Sequence, residues 1–403
     1  MKQYHLTEVI IVLGLAFLVG THLPEKTVSH AEAQVASSTF YRLTATQQKT
    51  AVDWISTLQY KTASESNGAI PISDGIAVYE KGTDRPLRRV VPYFAHLGIL
   101  GVLDSNDARR LTMTKNWITW YLSHIDQTTG VPLDTWYSLD GAYSTTCPVP
   151  GDISQCAVVD AEDSSVALFF VVLGAYVTAS GDKAIITTNS VAISRLATKL
   201  VSLIDTKDGL SFAKKTYPVK YTLDNSEVYA GLLSLERLNV VSGYTLAKKG
   251  YFNTLAIRIK NTLVATNSIG MTSASSSLFY WAKDGAGTKT PSSLAVWYPD
   301  SMAQYWPYLF GVVNGAVATS SYQQVVNSLY SRTGTAMLSG DCVRLRSVTG
   351  NSDEPSIVYA LYLKKDMRGA LLTPCMYTRN YSTTTKSFIW PFHVGQVGWL
   401  LRK

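Results

Sequence analysis

Residues 160–182 read DAEDSSVALFFVVLGAYVTASGD. From Val166 to Val177 the run is apolar on every face of a helix, and it is only twelve residues long. A bilayer span needs roughly 20 apolar residues, so the stretch is too short to cross a membrane. A helix without a wet side must be covered all round. The stretch therefore predicts a helix enclosed by other helices. Residues 185–204 behave differently. Ile193, Leu196, Leu200 and Ile204 keep helical spacing, while Arg195, Thr198 and Lys199 face elsewhere. That is a helix with one solvated side.

The two kinds alternate along the chain, joined by turns that contain glycine and extended residues. The first unit runs from a helix near Thr46–Lys61, through NGAIPISDGIAVYEK (67–81), to VPYFAHLGILGVL (91–103). The second pairs Lys115–Asp126 with the opening stretch, through TTGVPLDTWYSLDGAY (128–143). In the third, Ile185–Ile204 is followed by DGLSFAKKTYPVKYTLDNS (208–226) and EVYAGLLSLERL (227–238). The fourth joins Leu246–Val264, through GMTSASSSLFYWAKDG (270–285) and AVWYPDS (295–301), to MAQYWPYLFGVV (302–313). The fifth has Tyr322–Tyr330, GDCVRLRSV (340–348) and DEPSIVYALYL (353–363). The sixth is shorter: a helical piece near Asp366–Leu372, then CMYTRNYSTTTKSFIW (375–390) and PFHVGQVGWLL (391–401). One-sided helices suit an outer ring and all-round apolar helices an inner one, with the hairpins gathered at one rim.

DAEDSSVALFFVVLGAYVTASGD, DGLSFAKKTYPVKYTLDNSEVYAGL and WYPDSMAQYWPYLFGV resemble the six-hairpin glycosidase superfamily, and in particular exported bacterial proteins of that group. The resemblance covers nearly all of residues 40–403. It implies an all-α (α/α)6 toroid with short β-hairpins in the rim loops, and a glycosidase-like activity. Fold alone does not set chemistry, because toroids of this kind also host lyases and epimerases.

The N-terminus has the plan of a secretory leader: Lys2, an apolar stretch Val9–Gly20, and Ala31-Glu32-Ala33 as a small-x-small cleavage site. We expect residues 1–33 to be a signal peptide, with an uncleaved anchor as the alternative, and 34–403 to form one domain of an exported, monomeric protein without stable membrane insertion. The four cysteines, Cys147, Cys156, Cys342 and Cys375, then lie outside the cytoplasm and can pair in three ways. Cys147–Cys156 with Cys342–Cys375 closes the shortest loops. The formal net charge is +7, but basic residues are scattered and no run of them interleaves with aromatics. Nucleic acid is thus not an expected partner; an acidic polymer is a weaker possibility.

Acids concentrate at the starts of the inner helices: Asp160, Glu162 and Asp163; Asp224 and Glu227; Asp300; Asp353 and Glu354. Any one of these can be a helix cap, and Asp224 with Glu227 nearly spells a capping box. The outer helices, however, open with Ser and Thr in TATQQK, TMTKN and SGYTL. If the inner helices run parallel, their acids converge on one mouth. Glycoside hydrolysis needs two carboxyl groups flanking the bond, one of them protonated. Asp163 and Asp224 are the leading pair, with Glu227 and Asp300 next; Glu65 and Asp74 are outside candidates, and Glu354 reads as a helix-start acid.

Hairpin aromatics supply faces for sugar rings: Trp136, Tyr137, Tyr221, Trp281, Trp297, Tyr298 and Trp390, with Tyr217, Phe279 and Tyr280 beside them. No HExxH, phosphate loop or GxSxG elbow occurs, so no cofactor or metal is expected, although rim acids could hold calcium. The function these features favour is an exported glycoside hydrolase acting on a polysaccharide or oligosaccharide in a rim groove. Two alternatives remain open: a non-catalytic glycan-binding or assembly protein, and a lyase using Tyr137, His124 or His393 with Arg88 or Arg89.

Overall fold

The computed structural model describes residues 43–62, 64–75, 78–80, 82–144, 158–241, 245–350 and 354–403. The leader segment, Asp353 and the Cys147–Cys156 pairing lie outside the described residues. The helices are α1 (Ala45–Leu58), α2 (Pro92–Asp104), α3 (Arg110–Ser123), α4 (Glu162–Ser180) and α5 (Ala184–Thr188). Next come α6 (Ser190–Ser202), α7 (Thr222–Val241), α8 (Tyr251–Val264), α9 (Trp306–Leu309) and α10 (Gly315–Thr333). The last five are α11 (Ala336–Ser339), α12 (Cys342–Thr349), α13 (Glu354–Leu363), α14 (Met367–Asn380) and α15 (Val394–Leu401).

The all-round apolar helices form the expected inner ring. α2 packs on α4, α4 on α7, and α7 on α9 and the turn before it. Tyr305 Oη lies 2.8 Å from Ser356 Oγ and ties this turn to α13. α13 packs on α15, and α15 returns to α2, which closes the circle. In α4, Val166 through Phe170, Val172 and Leu173 are wholly buried, and each of these except Ala167 contributes about 1.5–3 kcal/mol of transfer free energy. α4 is the one described helix long and apolar enough to cross a membrane; here it is a wall of the ring. The one-sided helices lie outside: α1 against α15, α3 and α6 against α4, α8 against α7, and α14 against α13. Ile193, Leu196, Ala197 and Leu200 of α6 face inward, as their spacing requires.

Glycine lets two inner seams close to backbone contact. A methyl on Gly398 would sit 2.2 Å from the Leu97 carbonyl oxygen, and one on Gly231 would sit 2.7 Å from Ala167 Cα. Gly398→Ala is expected to cost about 2 kcal/mol through forced separation of α15 and α2. Denaturant unfolding would measure this, and a loss under 0.5 kcal/mol would show the seam to be compliant.

Three small sheets build the rim. β1 (Val78–Tyr79), β2 (Pro86–Val90) and β3 (Thr135–Ser138) join the first two hairpins, with Arg89 opposite Trp136. β4 (Lys220–Tyr221), β5 (Ala282–Lys283) and β6 (Lys289–Thr290) join the third and fourth. β7 (Tyr381–Ser382) pairs with β8 (Ser387–Phe388). The second sheet is anchored by a buried ion cluster that the sequence did not announce. Lys220 Nζ donates to Asp205 (2.6 Å) and to both oxygens of Asp208 (2.8 Å), and Lys283 Nζ donates to Asp208 (2.7 Å). Asp208→Ala would leave the buried Lys283 ammonium without a carboxylate and Lys220 with Asp205 alone, and is expected to cost about 3 kcal/mol. An unchanged denaturation midpoint would refute that.

Several local expectations are corrected. The fourth inner element is not one α-helix but a π-turn at Trp297–Ser301, a 3-10 turn at Met302–Gln304, and α9. GDCVRLRSV is helical, as α12, because Asp341 caps it by accepting from the Val343 and Arg344 amides. The sixth outer helix reaches full length as α14, with Pro374 inside it. Thr44 caps α1 with a capping box, but α3 and α8 start without a side-chain cap, so Ser and Thr are not general outer-ring caps. The Cys342–Cys375 disulfide forms as expected and ties α12 to α14.

Candidate active site at the inner-helix mouth

A cavity of about 470 Å³ opens where the inner helices begin. Its wall takes Tyr93 and Phe94 from α2, Ser164 and Ser165 from α4, Leu223 and Asp224 from α7, and His393 and Gln396 around the start of α15. Tyr298 and Met302 come from the fourth inner element, Asp134 from the second hairpin, and Asp160 from the approach to α4. The starts of α2, α4, α7 and α15 and the fourth inner element thus converge on one opening, while α13 contributes no lining residue.

The acids divide into three groups. Asp224, Asp160 and Asp134 line the cavity. Asp224 does not cap: α7 already begins at Thr222, and Oδ2 of Asp224 is buried without a hydrogen-bond partner among the described residues. Burial, then the charges of Asp163, Glu227 and Asp160, push its carboxyl well above the ordinary range. Asp160 is exposed on the same wall. Asp134 accepts from Arg89 Nη2 at 2.6 Å; burial lifts its carboxyl to about 6 against the pull of that guanidinium.

Asp163 and Glu227 sit behind the wall, fully buried. Asp163 accepts from Ser211 Oγ (2.5 Å) and the Ser164 amide (2.8 Å), and burial raises it to about 7. Glu227 accepts from Tyr93 Oη (2.8 Å), Trp306 Nε1 (3.0 Å) and Ser164 Oγ, and burial raises it to about 8. The capping box expected of Asp224 and Glu227 is therefore absent; Glu227 knits α7 to α2, α4 and α9. Asp300 does not line the cavity, although Tyr298 and Met302 on either side of it do, and it accepts from the Ser293 amide at 2.7 Å. Asp74 accepts from Trp54 Nε1, Glu65 is exposed away from the cavity, and Glu354 is buried at the start of α13.

Which acid of DAED faces the opening depends on where α4 starts. It starts at Glu162, whose side chain turns out to Lys199 of α6 at 2.6 Å, leaving Asp160 on the approach strand. Asp134 was missed because its place comes from the β2–β3 register, which no local motif encodes.

Of the aromatic candidates, Tyr298 and Trp390 line the cavity and are 58% and 59% exposed. Tyr221 stacks on Trp281 with ring centres 5.8 Å apart and planes 11° from parallel. Trp136, Tyr137 and Trp297 are buried in packing. Arg89 lies over Trp136, Trp120 Nε1 donates to Tyr137 Oη, and Trp297 meets Tyr305.

The residues considered for a lyase do not assemble. His124 stacks on Trp120, Tyr137 is enclosed, and Arg89 is held by Asp134. Only His393 reaches the cavity, where its Nδ1 accepts from the Gly395 amide and its ring packs on Phe94; burial lowers it to about 3. Among the described residues the cavity wall carries no lysine or arginine, so the chain's positive balance does not extend to this site. No group of three His, Cys, Asp or Glu is arranged to hold a metal ion among the described residues.

Solved structures with the same architecture include a wild-type glycosidase at 12% identity, covering 90% of this chain and 96% of that one, with a TM-score of 0.55. An alpha-amylase from Clostridium perfringens is 10% identical over 89% of this chain and 96% of that one, with a TM-score of 0.54. A D-mannose isomerase is 9% identical over 90% and 98%, with a TM-score of 0.53. No protein-family profile matches the chain, and neither does any curated protein. The likenesses show the fold, the (α/α)6 toroid found in six-hairpin glycosidases, and at these identities they show the fold alone.

Proposed function

We propose that the protein is a glycoside hydrolase that takes a saccharide into the inner-helix mouth and cleaves it between two carboxyl groups. One observation carries this reading: an unpartnered, buried Asp224 oxygen on the same cavity wall as the exposed Asp160. Burial and crowding raise the proton affinity of the Asp224 carboxyl, the direction that the general acid of glycoside cleavage requires. In this scheme Asp224 gives its proton to the leaving oxygen, and Asp160 serves as base or nucleophile. Asp163 and Glu227 are positioning residues; the charge each bears when ionised would hold the Asp224 proton in place. Tyr298 and Trp390 offer faces for the sugar ring.

An amylase and an isomerase share the fold. Among the described residues the one histidine lining the cavity, His393, is engaged as a helix cap, whereas carboxyl groups line the same wall, which supports hydrolysis. A reducing-end assay over neutral, amino and uronic oligosaccharides tests the proposal. New reducing ends are expected from at least one class. Retention of a glycan with no product over days would instead mark a binding protein.

We further propose that residues 1–33 are a cleaved leader. The Cys342–Cys375 bond fits an oxidising compartment. N-terminal sequencing of the mature protein should begin after Ala33.

A further inference from the structure

The rim carries a second aromatic surface that cavity chemistry does not use. Tyr221 and Trp281 stack nearly parallel, and Tyr217 Oη lies 3.1 Å from Tyr221 Oη. Tyr217 is half exposed, and both stacked rings are partly so. A ring that only closes a hairpin's core is buried, as Phe279 of the same rim is. The surface adjoins the cavity: Tyr221 ends β4, and Leu223 and Asp224 in the first turn of α7 line the cavity wall. It is also rigid. Lys220 and Lys283 hold β4 and β5 together through Asp208, so little ordering is left for a ligand to impose.

We propose that Tyr217, Tyr221 and Trp281 form a distal saccharide subsite, so that the substrate is a chain of several sugar units reaching from the cavity over this shelf. The inference rests on the function proposed above. Apolar ring faces edged by two phenol hydroxyls suit the alternating C–H and hydroxyl surface of a pyranose. A hydrophobic protein partner would have little use for hydroxyls at the surface.

The test uses the full-length protein on an array of neutral, amino and uronic glycans, each printed as a two- to eight-unit series. For at least one series, retention should rise about tenfold between two and six units. Tyr217→Ala and Trp281→Ala should abolish that rise while leaving two-unit binding unchanged. Tyr217→Ala, at an exposed position, keeps the test decisive should the tryptophan variant fold poorly. Length-independent retention would overturn the shelf and leave the hydrolase reading standing. Retention of no glycan would overturn both. Self-association abolished by Tyr217→Ala, seen by sedimentation, would assign the shelf to a protein interface and overturn the inference.

Discussion

Asp224→Asn is expected to lower the hydrolysis rate about 1,000-fold while raising the melting temperature. Both effects have one cause. The Asp224 carboxyl has a buried oxygen without a partner among the described residues and three acidic neighbours that raise its proton affinity. Such a group is costly to keep and useful only for chemistry. Asparagine has the same size and does not ionise, so the cost of taking up a proton to bury an acid is removed as the proton donor disappears. Measuring the rate and the unfolding midpoint on one preparation separates this outcome from simple damage, in which both would fall. Retention of wild-type rate would remove Asp224 from the mechanism. Asp300→Asn serves as a control, because Asp300 is buried, accepts from the Ser293 amide and does not line the cavity.

Stability should fall as pH rises from 5 to 8, by an amount on the order of 4 kcal/mol. In the unfolded chain Asp and Glu lose their protons near pH 4. In the folded protein Asp134 holds its proton to about 6, Asp163 to about 7 and Glu227 to about 8. Across that window these carboxyls bind more protons in the folded than in the unfolded chain, which favours unfolding as pH rises. His96 and His393, lowered to about 3 by burial but protonated up to about 6.5 when unfolded, act in the opposite sense and offset about half of it. The acids lowered by ion pairs, such as Asp107 at about 2, act at lower pH and leave this window alone. Glu227→Gln should flatten much of the slope. Its amide oxygen can accept from Tyr93 and Trp306 while its NH₂ donates to Ser164, so the geometry survives without the titration. Denaturant titrations at pH 5, 6.5 and 8 would read the slope; a flat or rising profile would contradict the burial argument.

The fold was legible because it rests on periodicity. Val166–Val177 could only be enclosed, and Ile193, Leu196 and Leu200 could only face one way. The site was legible to the level of its rim. Sequence located the acidic helix starts, yet it favoured Asp163 over Asp160 and did not single out Asp134. Those choices depend on where a helix begins and on a strand register between hairpins, neither of which has a local signature. Trp136, Tyr137 and Trp297 were plausible platforms by type, but type does not tell a ring that packs from a ring that waits for ligand.

The glycine seams divide the molecule into parts with different tolerance for change. Where α15 meets α2 and α4 meets α7, main chain rests on main chain, and even one added carbon has nowhere to go. The diameter of the opening is thereby set by the backbone and cannot be tuned by exchanging side chains along those seams. Tyr217, Tyr298 and Trp390 stand on solvent-facing hairpins with room around them. Directed evolution toward a new sugar should therefore randomise the hairpins and leave the ring untouched, since useful diversity is confined to the part that does not bear the frame.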